Sequence, residues 1–172
     1  VYLLQANQKH SKTPGDDLEM VHKRTRFLNS GSYQPLSDRL NQTILSLCGT
    51  QMPRILDAGC GEGYYAARLY EALTQAGKKP AVYGIDLAKP AVRHAAVRCK
   101  PARFAVASLF RMPVVSGSMD VCYNVFSPLC PEEFLRVLAP GGFFVAVYPA
   151  PRHLFGLKEI LYEQPYENRE ED

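Results

Sequence analysis

The run Asp57-Ala58-Gly59-Cys60-Gly61-Glu62-Gly63 constrains the fold of this chain more than any other stretch. It follows a short apolar segment, Arg54-Ile55-Leu56, and precedes residues 64–76. There Ala66, Leu69, Leu73 and Ala76 recur at helical spacing, with Gly77 at a C-cap position. Glycine at every second position lets a backbone take left-handed conformations and approach a bulky ligand closely. A strand, a glycine loop and a helix in that order begin a strand–helix–strand unit, which requires a parallel sheet covered by helices.

The rest of the sequence repeats the alternation. Strands are expected at 81–86, 103–107 and 119–125, with a helix over 89–98 between the first two. Pro131 suits the first turn of a helix running to Leu138. Pro140-Gly141-Gly142 then turns into a fifth strand, 143–148, followed by a helix over 153–162. Two helices precede the sheet. One starts at Asp16 or Asp17 after the turn Pro14-Gly15-Asp16, with Leu18, Val21, Thr25 and Leu28 on one face, and ends at Asn29 and Gly31. The other, 35–48, carries the stripe Leu36, Leu40, Ile44 and Leu47. The expected fold is α/β and Rossmann-like, a parallel sheet of about five strands flanked by helices. An N-terminal helical segment, residues 1–50, precedes a ligand-binding domain, residues 51–172.

A chain of 172 residues supports one domain, and 47% apolar with 22% charged residues is ordinary for a globular protein. The formal charge of +3 permits a nucleic-acid partner without selecting one. No apolar run approaches the ~18 residues of a membrane span, and no export leader is evident, so no membrane partner is expected. The five cysteines form no C-x-x-C pair. This argues against zinc within the chain and for reduced thiols in the cytoplasm. The start at Val1 and the polar end at Asn168-Arg169-Glu170-Glu171-Asp172 read as cuts in a longer protein, truncated at its C-terminal side.

A dinucleotide fingerprint, G-x-G-x-x-G, needs glycine where this chain has Tyr64. The pattern D-x-G-x-G-x-G instead resembles the loop of class I S-adenosyl-L-methionine (AdoMet)-dependent methyltransferases. Ligands of open α/β sheets lie beyond the carboxyl ends of the strands, where this loop and Asp86 both fall. On this reading Gly59, Gly61 and Gly63 admit the cofactor. Asp57 accepts a hydrogen bond from its amino group, directly or through water, and Asp86 binds both ribose hydroxyls. The bland alternative is a purely structural glycine turn. Ser108 either bonds the adenine edge or packs, and Cys60 serves as a small loop residue. Asn124-Val125-Phe126-Ser127-Pro128 ends the fourth strand, where such enzymes meet the methyl acceptor, but it is not the N-P-P-[YF] sequence of amino-methylating enzymes. His153 stands on the same rim, as a ligand contact or a surface residue.

The flanks narrow the resemblance. Pro14-Gly15-Asp16 with Glu19-Met20, then Phe27-Leu28, Gly31 and Tyr33-Gln34-Pro35-Leu36, is similar to the segment before the sheet in the 23S rRNA (guanine-N1)-methyltransferases of the RlmA type. The run from Leu56 to Tyr65, Tyr83-Gly84-Ile85-Asp86, Val106-Ala107-Ser108, the stretch from Pro149 to Leu154 and Leu157-Lys158 also resemble that family. The resemblance implies AdoMet contacts from Tyr33, Glu62, Gly63 and His153, with S-adenosyl-L-homocysteine as product. It also implies a 23S rRNA hairpin as substrate and suggests a homodimer. The family carries a four-cysteine zinc module ahead of this region and further strands after it, and this chain has neither.

Guanine N1 must lose its proton while attacking the sulfonium methyl in line, so positioning carries much of the task. No residue stands out as the base; Asn124 and His153 are rim candidates. A base must leave its stack to react, and Phe126, Tyr64 and Tyr65 either receive it or pack in the core. Lys9, Lys12, Lys23, Arg24 and Arg26 either track phosphates or form a solvated face. Two further readings remain: a small-molecule methyltransferase on the same sheet, and an AdoMet-binding fragment without activity of its own.

Overall fold

The computed structural model describes residues 1–3 and 15–168; Lys9, Lys12 and Pro14 lie outside them. Two helices open the fold, α1 (Leu18–Asn29) and α2 (Gln34–Leu47). Asp17 caps α1, its carboxylate accepting from the Met20 N–H at 2.8 Å, while Glu19 favours the positive helix end and pairs with Lys23 at 2.7 Å. Gly31, at φ +87°, turns the chain into α2. Then come β1 (Arg54–Ala58), α3 (Tyr64–Gln75), β2 (Ala81–Asp86), α4 (Lys89–Arg98), β3 (Arg103–Val106), β4 (Met119–Val125), α5 (Pro131–Val137), β5 (Leu138–Val147) and α6 (Phe155–Leu161). A 3₁₀ turn, Leu109–Arg111, links β3 to β4.

The five strands form one parallel sheet in the order β3-β2-β1-β4-β5. After β1 the chain builds outward to β2 and β3, then returns to the other side of β1 for β4 and β5. The reversal leaves a crevice beyond the carboxyl ends of β1 and β4. On one face Ile55, Val121 and Tyr123 pack with Leu69 and Leu73 of α3 and with Leu40 and Ile44 of α2. On the other, Leu56 and Cys122 meet Phe134 and Val137 of α5. Leu40 and Ile44 of the stripe read from α2 therefore join the sheet core, while Leu36 and Leu47 are half-buried. Of the face read on α1, Val21 and Leu28 are buried and Leu18 is exposed. Val1–Leu3 lies along the outer edge of β3, with Tyr2 bridging Val106.

Three local expectations need correction. Ala76 is exposed, because α3 stops at Gln75 and Gly77, at φ +79°, reverses the backbone. The turn Pro140-Gly141-Gly142 lies within β5: Met119 pairs Leu138 and Val121 pairs Phe143, so the intervening residues bulge from the ladder. The last helix begins at Phe155, because Leu154 takes a left-handed conformation, φ +57°. His153 consequently sits in a turn ahead of α6, held by its N–H to the Ala150 carbonyl at 2.8 Å.

Candidate cofactor and acceptor site

A cavity of about 480 Å³ opens at the crevice. Its floor is the glycine loop, tied to β2 by the N–H groups of Gly59 and Cys60, both donating to the Ile85 carbonyl at 2.9 Å. Gly59, at φ +88°, comes so close to Ser127 that an added Cβ would stand 2.2 Å from its Oγ. The loops after β1 and β4 can meet this closely only with glycine at that position. Gly63, at φ +82°, lies against Ala95 of α4, where a Cβ would stand 2.8 Å from the Ala95 Cα. Its role in the structure is to seat α3 on α4.

Four acids surround the loop. Asp86 ends β2, its two carboxylate oxygens accepting from the Gly61 N–H at 2.9 Å and the Ala88 N–H at 2.8 Å. Burial raises its pKa, and those two N–H groups offset part of the rise. Each oxygen retains a lone pair, so the carboxylate can accept a further pair of hydroxyl groups. Asp57 lies beneath the loop, 1% exposed, with Oδ2 lacking a partner. Burial pushes its pKa up to about 7, with Asp86 adding to the rise. The Tyr123 hydroxyl falls outside hydrogen-bond geometry yet offsets part of that shift. Glu62 is 2% exposed and pairs with Arg98 at 2.9 Å. Neither of its oxygens is aligned for a hydrogen bond, and burial raises its pKa against the pull of Arg98 and Arg24.

Asp16 is the fourth acid. With Asp17 capping α1, Asp16 is free to line the cavity and pairs with Arg24. Gly15, at φ +78°, packs on Ala88 just past Asp86 and brings this segment over the ribose-binding corner expected from sequence. Reading the sequence missed Asp16 and Arg24 as cavity residues. Charge pattern put Arg24 in a cationic set that either tracks phosphates or forms a solvated face, and the close Gly15–Ala88 contact has no one-dimensional signature.

Of the residues singled out from sequence, Tyr33, Gly59, Gly61, Glu62, Asp86 and Ser108 line the cavity, while Asp57, Gly63 and His153 stand just outside its lining. Ser108 accepts from the Phe110 N–H at 3.2 Å and so caps the 3₁₀ turn, leaving its hydroxyl proton available. Tyr33 and His153 come from segments 120 positions apart, yet the tyrosine oxygen lies 3.3 Å from His153 Nε2. Asn124 is 1% exposed, and its side-chain amide donates to the carbonyls of Ala58 and Pro128. It holds the loop after β4 and is not available to take a proton. Burial raises the Cys60 thiol well above its ordinary value, in keeping with a small structural side chain.

Parallel strands with a glycine loop at the switch point and an acid ending the second strand define a Rossmann-like nucleoside-binding class. The buried, unpartnered Asp57 and the open lone pairs of Asp86 fit a ligand that brings an ammonium and a diol, as AdoMet does. The chain belongs to the methyltransferase-domain family: residues 55–142 match the family model described as a methyltransferase domain. It is 35% identical over 156 residues to the 23S rRNA (guanine(748)-N(1))-methyltransferase of Streptomyces fradiae, covering 90% of this chain and 54% of that protein. It is 34% identical to YxjB of Bacillus subtilis strain 168, provisionally named a 23S rRNA (guanine-N(1)-)-methyltransferase, over 84% of this chain and 51% of that one. The chain thus spans about half the length of these relatives. A SAM-dependent methyltransferase from Aquifex aeolicus shares the fold with a TM-score of 0.59 at 22% identity, over 76% of this chain and 72% of that one.

Proposed function

We propose that this chain is the AdoMet-binding core of an rRNA methyltransferase that modifies N1 of a guanine in a 23S rRNA hairpin. The observation that carries the cofactor is the pairing of the glycine loop with Asp86 at the mouth of one cavity. The names of the relatives support the RNA substrate. Bound AdoMet supplies a methyl group on a positively charged sulfur. The protein's part is to hold that cofactor and to admit a base. Asp86 takes the ribose diol, and Ser108 and Leu109 border the adenine. Asp57, Glu62, Tyr33 and His153 border the methionine end. Asp57 and Asp86, the two acids here without an arginine partner among the described residues, suit a cofactor with net positive charge better than its neutral product, which favours exchange after transfer.

With AdoMet held there, guanine N1 would take the methyl group as the carbon–sulfur bond breaks, and this chain's part would be to hold the base in line. The N1 proton would go to solvent or to His153, which stands beside Tyr33 and Phe126, and S-adenosyl-L-homocysteine would be the product released. This reading implies a cytoplasmic enzyme. No helix among the described residues is long and apolar enough to cross a membrane. A zinc ion would belong to a separate four-cysteine module; among the described residues no cluster could hold a metal.

The test is transfer of labelled methyl to 23S rRNA by the full-length protein carrying this chain, with the product nucleoside identified by mass spectrometry. N1-methylguanosine at one position is expected. Transfer to a small molecule with none to rRNA would show that the acceptor is misassigned.

A further inference from the structure

Six aromatic residues line this cavity, Phe27, Tyr33, Tyr64, Tyr65, Phe110 and Phe126, and their surroundings separate them. Tyr64 is buried between two guanidinium groups, Arg68 at 5.6 Å and Arg98 at 5.7 Å from its ring centre. Tyr65 packs edge-on against Tyr64 at 5.1 Å, and its hydroxyl is buried. Phe27 and Phe110 are more exposed still but stand away from the end of β4, whereas Phe126, 41% exposed, directly follows the buried Val125 there.

The Phe126 backbone has φ +51°, a left-handed conformation that a bulky residue keeps only where its surroundings enforce it. The enforcement is visible. Its N–H donates to the Val147 carbonyl at 2.9 Å, Asn124 just before it donates to the carbonyls of Pro128 just after it and of Ala58 on β1, and Ser127 abuts Gly59. The ring is fixed as well, edge-to-face with Tyr33 at 5.9 Å and 83°, and tilted 34° to His153 at 5.4 Å. A residue serving only the core would be buried in a relaxed conformation. This one is strained and left partly open beside the glycine loop.

We propose that Phe126 is the platform on which the acceptor guanine stacks, with Tyr33 and His153 holding the ring in place. The proposal rests on the rRNA reading above. N1 lies on the edge of the purine, and in-line attack requires that edge to face the cofactor's methyl group. A base held by its face presents its edge. Phe126 offers such a face at the carboxyl end of β4, across from the loop expected to carry the methionine moiety.

The test uses the full-length protein with Phe126→Asn and Phe126→Tyr. Asparagine adopts left-handed backbone readily but cannot stack as a ring does. With Phe126→Asn, kcat/KM for 23S rRNA should fall about 10- to 100-fold while AdoMet affinity by calorimetry stays within about twofold. Phe126→Tyr, which keeps the ring, should recover most of the loss. Unchanged kcat/KM in Phe126→Asn would overturn the proposal and leave the rRNA reading standing. AdoMet affinity falling by the same factor as kcat/KM would make Phe126 a wall of the cofactor site, which also overturns it. If the unsubstituted protein transfers methyl to no rRNA, the rRNA reading fails and the proposal fails with it.

Discussion

Asp57 shows how much one buried group can set. Its carboxyl lies in the sheet with a pKa near 7 and one oxygen unpartnered, so the ligand-free protein tolerates it better neutral than charged. A folded-state pKa above the ordinary carboxyl value, about 4, contributes stability that is complete below that value and lost as pH rises through about 7. Asp86 and Glu62 are raised in the same direction and add to the slope. The melting temperature of the ligand-free protein should therefore fall between about pH 5 and about pH 8. Asp57→Asn should flatten that fall and raise stability at the alkaline end, measured by thermal melts across pH. Since an ammonium favours the ionised carboxylate, the same substitution should weaken AdoMet binding. A variant more stable yet weaker in binding would identify Asp57 as a group retained for its ligand.

At the scale of elements, the loops after β1 and β4 are one device. Gly59 allows Ser127 to close on it, while at Gly61 an added Cβ meets nothing within 4 Å. Both have positive φ, so alanine is strained at either, but only Gly59→Ala also forces the two loops apart. Gly59→Ala should cost about 2 kcal/mol or more, and Gly61→Ala about 1 kcal/mol. In a protein of this size that separates the melting temperatures by a few degrees. Equal losses would mean that the contact with Ser127 carries no weight. The loop itself was legible in sequence, because strand, glycine spacing and helix are local patterns. Its partner loop was read as the end of the fourth strand facing the acceptor, but the contact of Ser127 with Gly59 was not legible, because it arises only from the parallel pairing of β1 with β4. The early end of the strand-like pattern at β5 likewise hid the bulge, where Pro140-Gly141-Gly142 marks a turn correctly but not its place inside a strand.

For the whole molecule, the parallel five-stranded sheet, its covering helices and the two leading helices followed from hydrophobic periodicity and one glycine motif, while the order of the strands came only with the structure. What sequence alone left open was convergence. Tyr33 comes from the turn into α2, Asp16 and Arg24 from the start of the chain, and His153 from beyond β5, and no spacing rule links them. Resemblance to a family supplied Tyr33 and His153, and the structure brings both rings to Phe126. Asp16 and Arg24 emerged only with the folded chain. One cavity with a glycine floor and Asp86 at its mouth is the feature on which every functional statement depends. Calorimetric titration of AdoMet into the protein, unsubstituted and with Asp86→Ala, tests it most directly. One binding site, weakened at least about tenfold by the substitution, is the predicted result, because it removes charge-assisted hydrogen bonds to two hydroxyls. No binding by the unsubstituted protein, or equal affinity in the two proteins, would contradict it.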